Sequence, residues 1–319
     1  MHELFAGAGL LGSAFAAHSF RLTRAVELDR SAAATYRRSL GDHVEVCDVR
    51  AAEASGTCDV LMAGPPCQGF STLGKRDPDD PRNQLSLEVV RWAAATRPAV
   101  VVIENVEAFL SSPVWPELAL RLEALGYEVH GGVYEALDFG VPQRRRRSFT
   151  FASRVGIPVP RPEPTMSPTT VRAAWESLPA VPDGQNLHVA PAPGPLALAR
   201  MKVIPEGGDK RDVMRLAPEL AAPSWWRLGC HVTDVWGRMQ WDAPSNTLRT
   251  SLQNASKGRY IHPEQHRVIS LREAARLQTI DDGWSFEGPA DHVARQIGNS
   301  VPPRLGRAVA RAVAERLGF

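Results

Sequence analysis

Short apolar runs alternate with amphipathic stretches over the first 150 residues, a pattern typical of βαβ units. The apolar runs predict strands at His2–Phe5, Arg24–Glu27, His43–Cys47, Val60–Ala63 and Ala99–Glu104. The amphipathic stretches between them predict helices at Leu10–Ser19, Ser31–Leu40, Leu85–Thr96 and Val114–Leu125. Residues 100–103 are all apolar, as expected for a strand covered on both faces. The pattern predicts a doubly wound α/β sheet.

The pattern changes after about residue 154. Prolines crowd residues 157–195, which predicts little regular structure there, and irregular polar and aromatic sequence continues to about Ser251. Helical periodicity returns at Leu271–Gln278 and again at Arg304–Leu317. We therefore expect three parts: an α/β domain over 1–155, a smaller irregular domain over 156–285, and a segment over 286–319 that returns to the first domain.

Composition excludes several classes of protein. The chain has 319 residues, of which 44% are hydrophobic and 23% charged, so it is neither a disordered nor a fibrous chain. No apolar run is long enough to cross a membrane, and the first residues do not match a secretory signal. Four cysteines are too few and too unevenly spaced for a disulfide framework or a zinc cluster. We expect a cytoplasmic protein with reduced cysteines, no metal and no membrane partner.

The distribution of charge says more than the formal net charge of +2. Residues 200–272 hold more Lys and Arg than Asp and Glu, together with several tryptophans. This composition is compatible with nucleic-acid binding, and equally with a solvated basic face.

Gly7, Gly9 and Gly12 form a GxGxxG turn between the first predicted strand and the first predicted helix. Glu27 lies at the end of the next strand. Glycines in such a turn let the backbone approach a ligand closely, and an acid at this spacing binds ribose hydroxyls. The motif predicts a nucleoside-containing cofactor without specifying which one.

Cys67 lies in a Gly-Pro-Pro-Cys-Gln-Gly turn directly after the strand at Val60–Ala63. Ligands of α/β sheets bind at the carboxyl ends of the strands, so we expect this turn beside the cofactor crevice. A thiol outside an apolar run favours a nucleophile, and an inert thiol is an equal alternative at this point. The polar stretch from Gln68 to Asn83 predicts a lid over the site.

Glu104 ends the next apolar strand. A carboxyl group in apolar surroundings tends to keep its proton, which predicts a group that donates a proton; a structural pairing with arginine is the alternative. In the run Gln143–Arg147, alternation along an extended chain would place Arg145 and Arg147 on one face, toward this carboxyl group. Residues 296–303 predict a polar turn that opens the last helix.

The order and spacing of these motifs resemble the cytosine-5 DNA methyltransferase family. The Pro-Pro-Cys-Gln, Glu-Asn-Val and Gln-Arg-Arg-Arg-Arg elements are specific in combination, and residues 272–278 look like the segment that organises the family's recognition domain. The family usually has a second glycine and an aromatic residue where this chain has Leu10 and Leu28. The resemblance implies a Rossmann-like methyltransferase domain and, without matching motifs over 156–267, a target-recognition domain.

The resemblance also implies the chemistry: methyl transfer from S-adenosylmethionine to carbon 5 of a flipped-out cytosine in a specific sequence of double-stranded DNA. Cys67 would bond to carbon 6 of the ring, and Glu104 would neutralise ring nitrogen 3. Asn105 would position the exocyclic amine. Arg145 and Arg147 would hold Glu104 and the base.

Further roles follow from the resemblance by position. Gln68 and Ser71, in the lid, would fill the space that the flipped base leaves. The implied cofactor-binding positions are Phe5, Gly7, Gly9, Glu27, Leu28, Asp48, Pro65, Leu85, Asn299 and Ser300. We expect a monomer that acts in a restriction-modification system, with a cognate endonuclease, or alone.

Three alternatives stay open on the sequence. A nicotinamide-dependent oxidoreductase would explain Gly7 and Glu27 but gives Cys67 and Glu104 no role. An RNA cytosine-5 methyltransferase would share the motifs, although the long unmatched region favours DNA. A non-catalytic DNA-binding paralogue should have lost the nucleophile or the acid, and both are present here.

Overall fold

The structure is a computed structural model that describes residues 1–66, 81–161, 169–228 and 234–319. Within these residues one sheet has the strand order β3-β2-β1-β4-β5-β7-β6. Its strands are β1 (His2–Leu4), β2 (Arg24–Glu27), β3 (Val44–Val46), β4 (Val60–Ala63), β5 (Val100–Val106), β6 (Glu128–Glu135) and β7 (Arg146–Ser153).

The sheet is mixed. β1 to β5 pair in parallel, whereas β7 runs antiparallel to both β5 and β6. The doubly wound α/β prediction is confirmed for the parallel strands. The sequence analysis missed β6 because its residues, which include Gly131 and Gly132, give no apolar run.

Helices of the described residues follow in chain order. They are α1 (Leu10–Ala16), α2 (Arg30–Leu40), α3 (Glu88–Thr96), α4 (Val114–Ala124), α5 (Val171–Trp175), α6 (Pro195–Val203), α7 (Lys210–Leu216), α8 (Pro223–Leu228), α9 (Leu271–Leu277), α10 (Ala290–Asn299) and α11 (Pro303–Leu317). Short 3₁₀ helices lie at Pro81–Leu87, Glu107–Ser111, Ala136–Phe139, Pro218–Leu220 and Ala255–Lys257. Every described helix is too short or too polar to span a lipid bilayer.

Local sequence explains where these helices begin. The Asp29 side chain accepts hydrogen bonds from the N–H groups of Ser31 and Ala32, so it caps α2. Ser270 and Glu273 form a reciprocal capping box at the start of α9. Pro303 occupies the first turn of α11, where a missing N–H costs nothing.

The chain forms two compact units. The first consists of Met1–Phe139, Arg146–Met166 and Val301–Phe319, and the second of Gly140–Arg145 and Ser167–Ser300. The predicted boundaries near residues 155 and 286 therefore differ from those of the compact units. In particular, α10 belongs to the second unit rather than to a returning segment.

The core of the first unit lies between helices and sheet. One apolar cluster packs Trp92 of α3 and Leu118 of α4 against β4 and β5. A smaller cluster packs Tyr36 of α2 against β2 and β3. α11 packs against α1, where a methyl group on Gly306 would lie 2.9 Å from Ala14 Cβ. This core fixes the carboxyl ends of the parallel strands.

The second unit has more helix than its proline content predicted. α5 lies inside the proline-rich stretch, and α6, α7 and α8 lie in the region predicted to be irregular. Pro195 and Pro223 stand in the first turns of α6 and α8, where proline starts a helix rather than breaking it. The prediction of irregular sequence as far as about Ser251 was therefore wrong, whereas α5 is the regular element among described residues 157–161 and 169–194, where little was predicted.

Candidate active site

Glu27, at the end of β2, accepts hydrogen bonds through both carboxylate oxygens. The Gly7 N–H donates to Oε2 and the Asp29 N–H to Oε1, each at 2.7 Å. Burial raises the pKa of Glu27, and these two donors act in the opposite direction. Each carboxylate oxygen has a second lone pair, so Glu27 can still accept bonds from ligand hydroxyls.

The first two glycines of the GxGxxG turn have left-handed backbones, with φ of +55° at Gly7 and +82° at Gly9. A methyl group on Gly9 would lie 2.7 Å from the side chain of Leu40, so Gly9 permits close packing on α2. A methyl group on Gly7 would meet no described atom within 4 Å. Gly7 therefore presents an open backbone surface beside the Glu27 carboxylate.

The third glycine of the turn contacts a buried acid. Glu3, in the middle of β1, is buried, and a methyl group on Gly12 would overlap its Oε2. Burial raises the pKa of Glu3 to about 8, and a hydrogen bond from Tyr36 lowers it by a smaller amount. Glu3 thus holds a proton at neutral pH, directly beneath the turn. The sequence analysis missed it, although an acid in the middle of a predicted strand of the central sheet was a visible signal.

Other predicted cofactor residues follow the carboxyl ends of β1, β3 and β4. Asp48 accepts a hydrogen bond from the Arg50 backbone N–H at 2.9 Å and another from Arg50 Nη2 at 2.6 Å. These bonds lower the pKa of Asp48 to about 2. Phe5 lies at the edge of the main apolar cluster, with Leu85, and Pro65 is buried. Leu28, beside Glu27, is 66% exposed. Parallel pairing brings these strand ends to one edge of the sheet.

Asn105 follows Glu104 near the end of β5, and its amide binds backbone groups of the described residues. It lies within β5, is buried, and donates from Nδ2 to the Pro65 carbonyl at 3.3 Å. Its Oδ1 accepts a bond from the Val106 N–H at 2.8 Å. The described contacts of its amide are thus with the backbone, and they tie the turn after β4 to β5. Asn105 is placed to position the turn that leads to Cys67, and its role toward a base stays a prediction.

Glu104 forms an ion pair with Arg147. Arg147 Nε lies 3.0 Å from Glu104 Oε1, and both side chains are 13% exposed. β5 and β7 bring them together, because Glu104 pairs with Phe149 and Val106 pairs with Arg147. Glu104 is thus largely removed from solvent, with the Arg147 guanidinium that the resemblance implied lying against it, and its role as a proton donor stays a prediction. Its other oxygen, Oε2, is 3.8 Å from the position of a methyl group on Gly64, at the start of the Cys67 turn.

Arg145 does not share the environment of Arg147. It is fully buried in the second unit, where it donates to the carbonyls of Leu248, Gly298 and Ser300 at 2.8–2.9 Å. These three bonds of Arg145 are with backbone carbonyls, and its role toward Glu104 and the base stays a prediction. The strand begins at Arg146, so the alternation that was assumed for the whole run does not extend back to Arg145.

Asn299 and Ser300 lie at the end of α10, in the second unit. The Ser300 hydroxyl donates to the Ile297 carbonyl at 2.8 Å. Residues 296–299 are thus the last turn of a helix rather than the predicted polar turn. The role of Asn299 and Ser300 toward a cofactor stays a prediction.

Three predicted residues, Cys67, Gln68 and Ser71, lie outside the described residues. In the described ranges, no three His, Cys, Asp or Glu side chains are arranged to hold a metal ion.

The sequence analysis also missed the role of Gln143, which is buried. Its Oε1 accepts a hydrogen bond from the Leu248 N–H, and its Nε2 donates to Gln278 Oε1. Nothing in its position before four arginines indicated that role.

The model of the C-5 cytosine-specific DNA methylase family matches residues 1–185 and 226–315. The chain belongs to this family. It is therefore an enzyme, a DNA cytosine-5 methyltransferase, and the oxidoreductase alternative is excluded. The matched ranges include the glycine turn, the Cys67 turn, Glu104 and the arginine run.

Curated relatives of this methyltransferase match along most of their length. The Type II methyltransferase M1.HphI of Haemophilus parahaemolyticus is 33% identical, over 98% of this chain and 85% of the relative. The Type II methyltransferase M.AgeI of Thalassovita gelatinovora is 30% identical, over 98% of each. The likeness extends through the second unit as well as the first.

Solved structures share the fold. A prophage-encoded protein of E. coli, assigned as a DNA modification methyltransferase, superposes with a TM-score of 0.77 at 23% identity, over 100% of this chain and 99% of that one. The S. pombe Dnmt2 methyltransferase superposes with a TM-score of 0.65 at 18% identity, over 100% of this chain and 99% of that one. The Rossmann-like fold of this methyltransferase is thereby confirmed.

Proposed function

We propose that this methyltransferase modifies carbon 5 of a flipped-out cytosine in a specific sequence of double-stranded DNA, through a covalent bond to Cys67. The observation that supports this most is the Glu104–Arg147 pair at the end of β5. Glu104 Oε2 faces the start of the turn that leads from β4 to Cys67, and that turn is tied to β5 by Asn105. A nucleophile and a proton donor on neighbouring strand ends are what the reaction requires.

Cys67 supplies the nucleophile in this proposal. Carbon 5 of cytosine is too electron-poor to attack a methyl group unaided. When the Cys67 thiolate bonds to carbon 6, the double bond between carbons 5 and 6 opens and electron density moves toward carbon 5 and ring nitrogen 3. After methylation, a base or water removes the proton on carbon 5, and the thiolate leaves as the double bond re-forms.

Glu104 manages the charge that develops on ring nitrogen 3. In its acid form it donates a proton to that nitrogen as the thiolate adds, and it takes the proton back when the thiolate leaves. Arg147, 3.0 Å away, fixes the orientation of the carboxyl group and favours the return to carboxylate. Positioning of this kind lowers the barrier because the donor needs no rearrangement during the reaction.

The first unit fits S-adenosylmethionine at the edge formed by the ends of β1, β2 and β3. The open backbone at Gly7 admits a close ligand, and the free lone pairs of Glu27 suit ribose hydroxyls. The ionised Asp48 suits the adenine amine, and exposed Leu28 offers an apolar surface to the ring. When bound, S-adenosylmethionine supplies an electrophilic methyl group on a sulfonium sulfur.

Carbon 6 of cytosine lies inside the stacked duplex, so the base must leave the helix, at a cost of a few kcal/mol. We assign to Gln68 and Ser71 the filling of the vacated space, and to the second unit the reading of the target sequence. The family and its Type II relatives support DNA as substrate. A restriction-modification system with a cognate endonuclease is the context that those relatives suggest, and a solitary enzyme is the alternative.

The test compares Cys67→Ser with Cys58→Ser, which changes a half-buried thiol before the start of β4, at the opposite end of that strand from Cys67. Transfer of tritiated methyl groups from S-adenosylmethionine is measured with duplex DNA and, separately, with tRNA. We expect C67S to lose at least about 10³-fold in rate while cofactor binding persists, and C58S to keep its rate. Undiminished methylation by C67S would remove the nucleophile, and a preference for tRNA would remove the substrate assignment.

A further inference from the structure

The second unit contains a polar cleft of about 310 Å³ that adjoins a smaller hollow of about 180 Å³. Both are lined by Arg144, Asp234, Asn246 and Arg259. We call this pair of hollows the Arg144 cleft. At roughly 300 Å³ it is at the lower limit for small-molecule sites, and it suits the edge of a base better than a whole nucleotide.

Two of the guanidinium groups in the cleft bind backbone carbonyls of the second unit. Arg259 donates to the carbonyls of Gly207, Gly208 and Arg238, at 2.8–2.9 Å. Arg249 donates to the Lys257 carbonyl at 3.2 Å. Both groups shape the walls of the cleft, and neither has its full set of donors available for a ligand.

Arg144 differs from these two. Its side chain is exposed, and its guanidinium makes no hydrogen bond or ion pair with the described part of the chain. Its backbone, in contrast, is clamped: the Arg144 N–H donates to the Ser245 carbonyl at 2.9 Å, and the Thr247 hydroxyl donates to the Arg144 carbonyl at 2.7 Å. A rigid backbone that carries an uncommitted guanidinium is what a recognition residue needs, since less order must be gained on binding.

Asp234 places an acceptor in the same cleft. Its Oδ1 accepts a bond from Asn246 Nδ2 at 2.8 Å, and its Oδ2 lies 3.9 Å from Arg249 Nη2. The side chain is 43% exposed, so the carboxylate keeps lone pairs for a ligand donor. A carboxylate in this position repels a phosphate. The cleft therefore matches a partner that presents both acceptors and a donor.

We propose that the Arg144 cleft reads one G·C base pair of the target from the major groove. Arg144 donates to the O6 and N7 atoms of guanine, and Asp234 accepts from the exocyclic amine of the paired cytosine. The major-groove edge of this pair presents that set of two acceptors and one donor. The inference rests on the proposed function, because it names residues with which the enzyme would select its DNA.

The experiment measures methylation of a randomised duplex library by bisulfite sequencing, with wild-type enzyme and with R144A, R144K, D234N and R146A. Arg146 forms a surface ion pair with Glu107 and provides the matched loss of one positive charge. We expect R144A and R144K to lose about tenfold or more of their discrimination at one G·C position. D234N should relax the same position, whereas R146A should keep the wild-type preference.

The possible outcomes separate the two proposals. If wild-type enzyme methylates no duplex, the proposed function fails, whatever the cleft does. If the wild type is active and R144A weakens binding equally on all sequences, with a salt slope lower by about one, Arg144 binds phosphate and the base-reading proposal is overturned. An unchanged preference in R144A and D234N would overturn it as well.

Discussion

The two compact units satisfy their buried backbone in different ways. In the first unit all seven described strands pair side by side, from β3 at one edge of the sheet to β6 at the other. Their backbone carbonyls and N–H groups therefore bond one another in ladders. The second unit has isolated bridges in place of such ladders within its described residues, and buried arginines bind its carbonyls instead. Arg238 alone donates to the carbonyls of Met201, Ile204, His262 and Gln265.

Arginine therefore has different roles in different parts of the chain. Buried carbonyls must be paired wherever they lie, and a guanidinium with five donors can replace a missing strand. Arg145 serves this purpose, whereas Arg147, two residues later, pairs with Glu104. The buried Arg145 and Arg238 of the second unit are thus structural residues, whereas Arg147 of the first unit lies against the carboxyl group proposed for the chemistry.

The largest expected effect concerns the chemistry of the first unit. Glu104→Gln keeps the shape of the side chain but removes the exchangeable proton, so we expect kcat to fall about 10³-fold, roughly 4 kcal/mol of barrier. Single-turnover methylation and DNA-binding affinity should be measured together. Glu107→Gln, which alters a half-exposed surface pair, is the control and should retain activity. Equal losses in binding and rate for E104Q would contradict a role as acid.

A smaller effect is expected from breaking the arginine framework of the second unit. Arg238→Met leaves four carbonyls without their donor, three of them in buried bonds, and we expect a loss of about 3 kcal/mol in the free energy of unfolding. Denaturant titration followed by tryptophan fluorescence reports mainly this unit, which holds six of the eight tryptophans. Arg215→Ala, on an exposed ion pair of α7, should change stability by less than about 0.5 kcal/mol. Similar losses in both variants would refute the framework role.

An effect that is small over any single pH unit concerns the buried acid of the first unit, Glu3, which forms no ion pair with an arginine of the described residues. Between pH 4.5 and about 8 the folded state keeps the Glu3 proton and the unfolded state has lost it. Stability from this group is therefore present below pH 4.5 and falls as pH rises toward 8, by at most about 1.4 kcal/mol per pH unit. Glu3→Gln should flatten this slope in denaturant titrations, whereas exposed Glu123→Gln should keep it. An unchanged slope in E3Q would show that Glu3 does not hold the proton.

Sequence periodicity predicted the parallel strands well, because β4 and the first four residues of β5 are continuous apolar runs and β2 and β4 match their predicted bounds. The glycine turn and Glu27 were predictable for the same reason, since their spacing reflects one βαβ unit. The partners of Arg145 and Asn105 were not predictable. Both donate to backbone carbonyls. Every residue has such a carbonyl, so the sequence does not show which of them will need a side-chain donor. Helices in the second unit were missed because proline was taken only as a breaker.

Gly12 and Glu3 constrain one another. A methyl group at residue 12 would overlap the buried Glu3 carboxyl group unless that side chain moved, so the last glycine of the turn matches an acid in the neighbouring strand. Relatives that lack the acid are free to carry alanine there, and those that retain it would have to move its side chain. Loss of the glycine in a homologue would thus report a changed interior, with no bearing on which nucleoside the turn accepts.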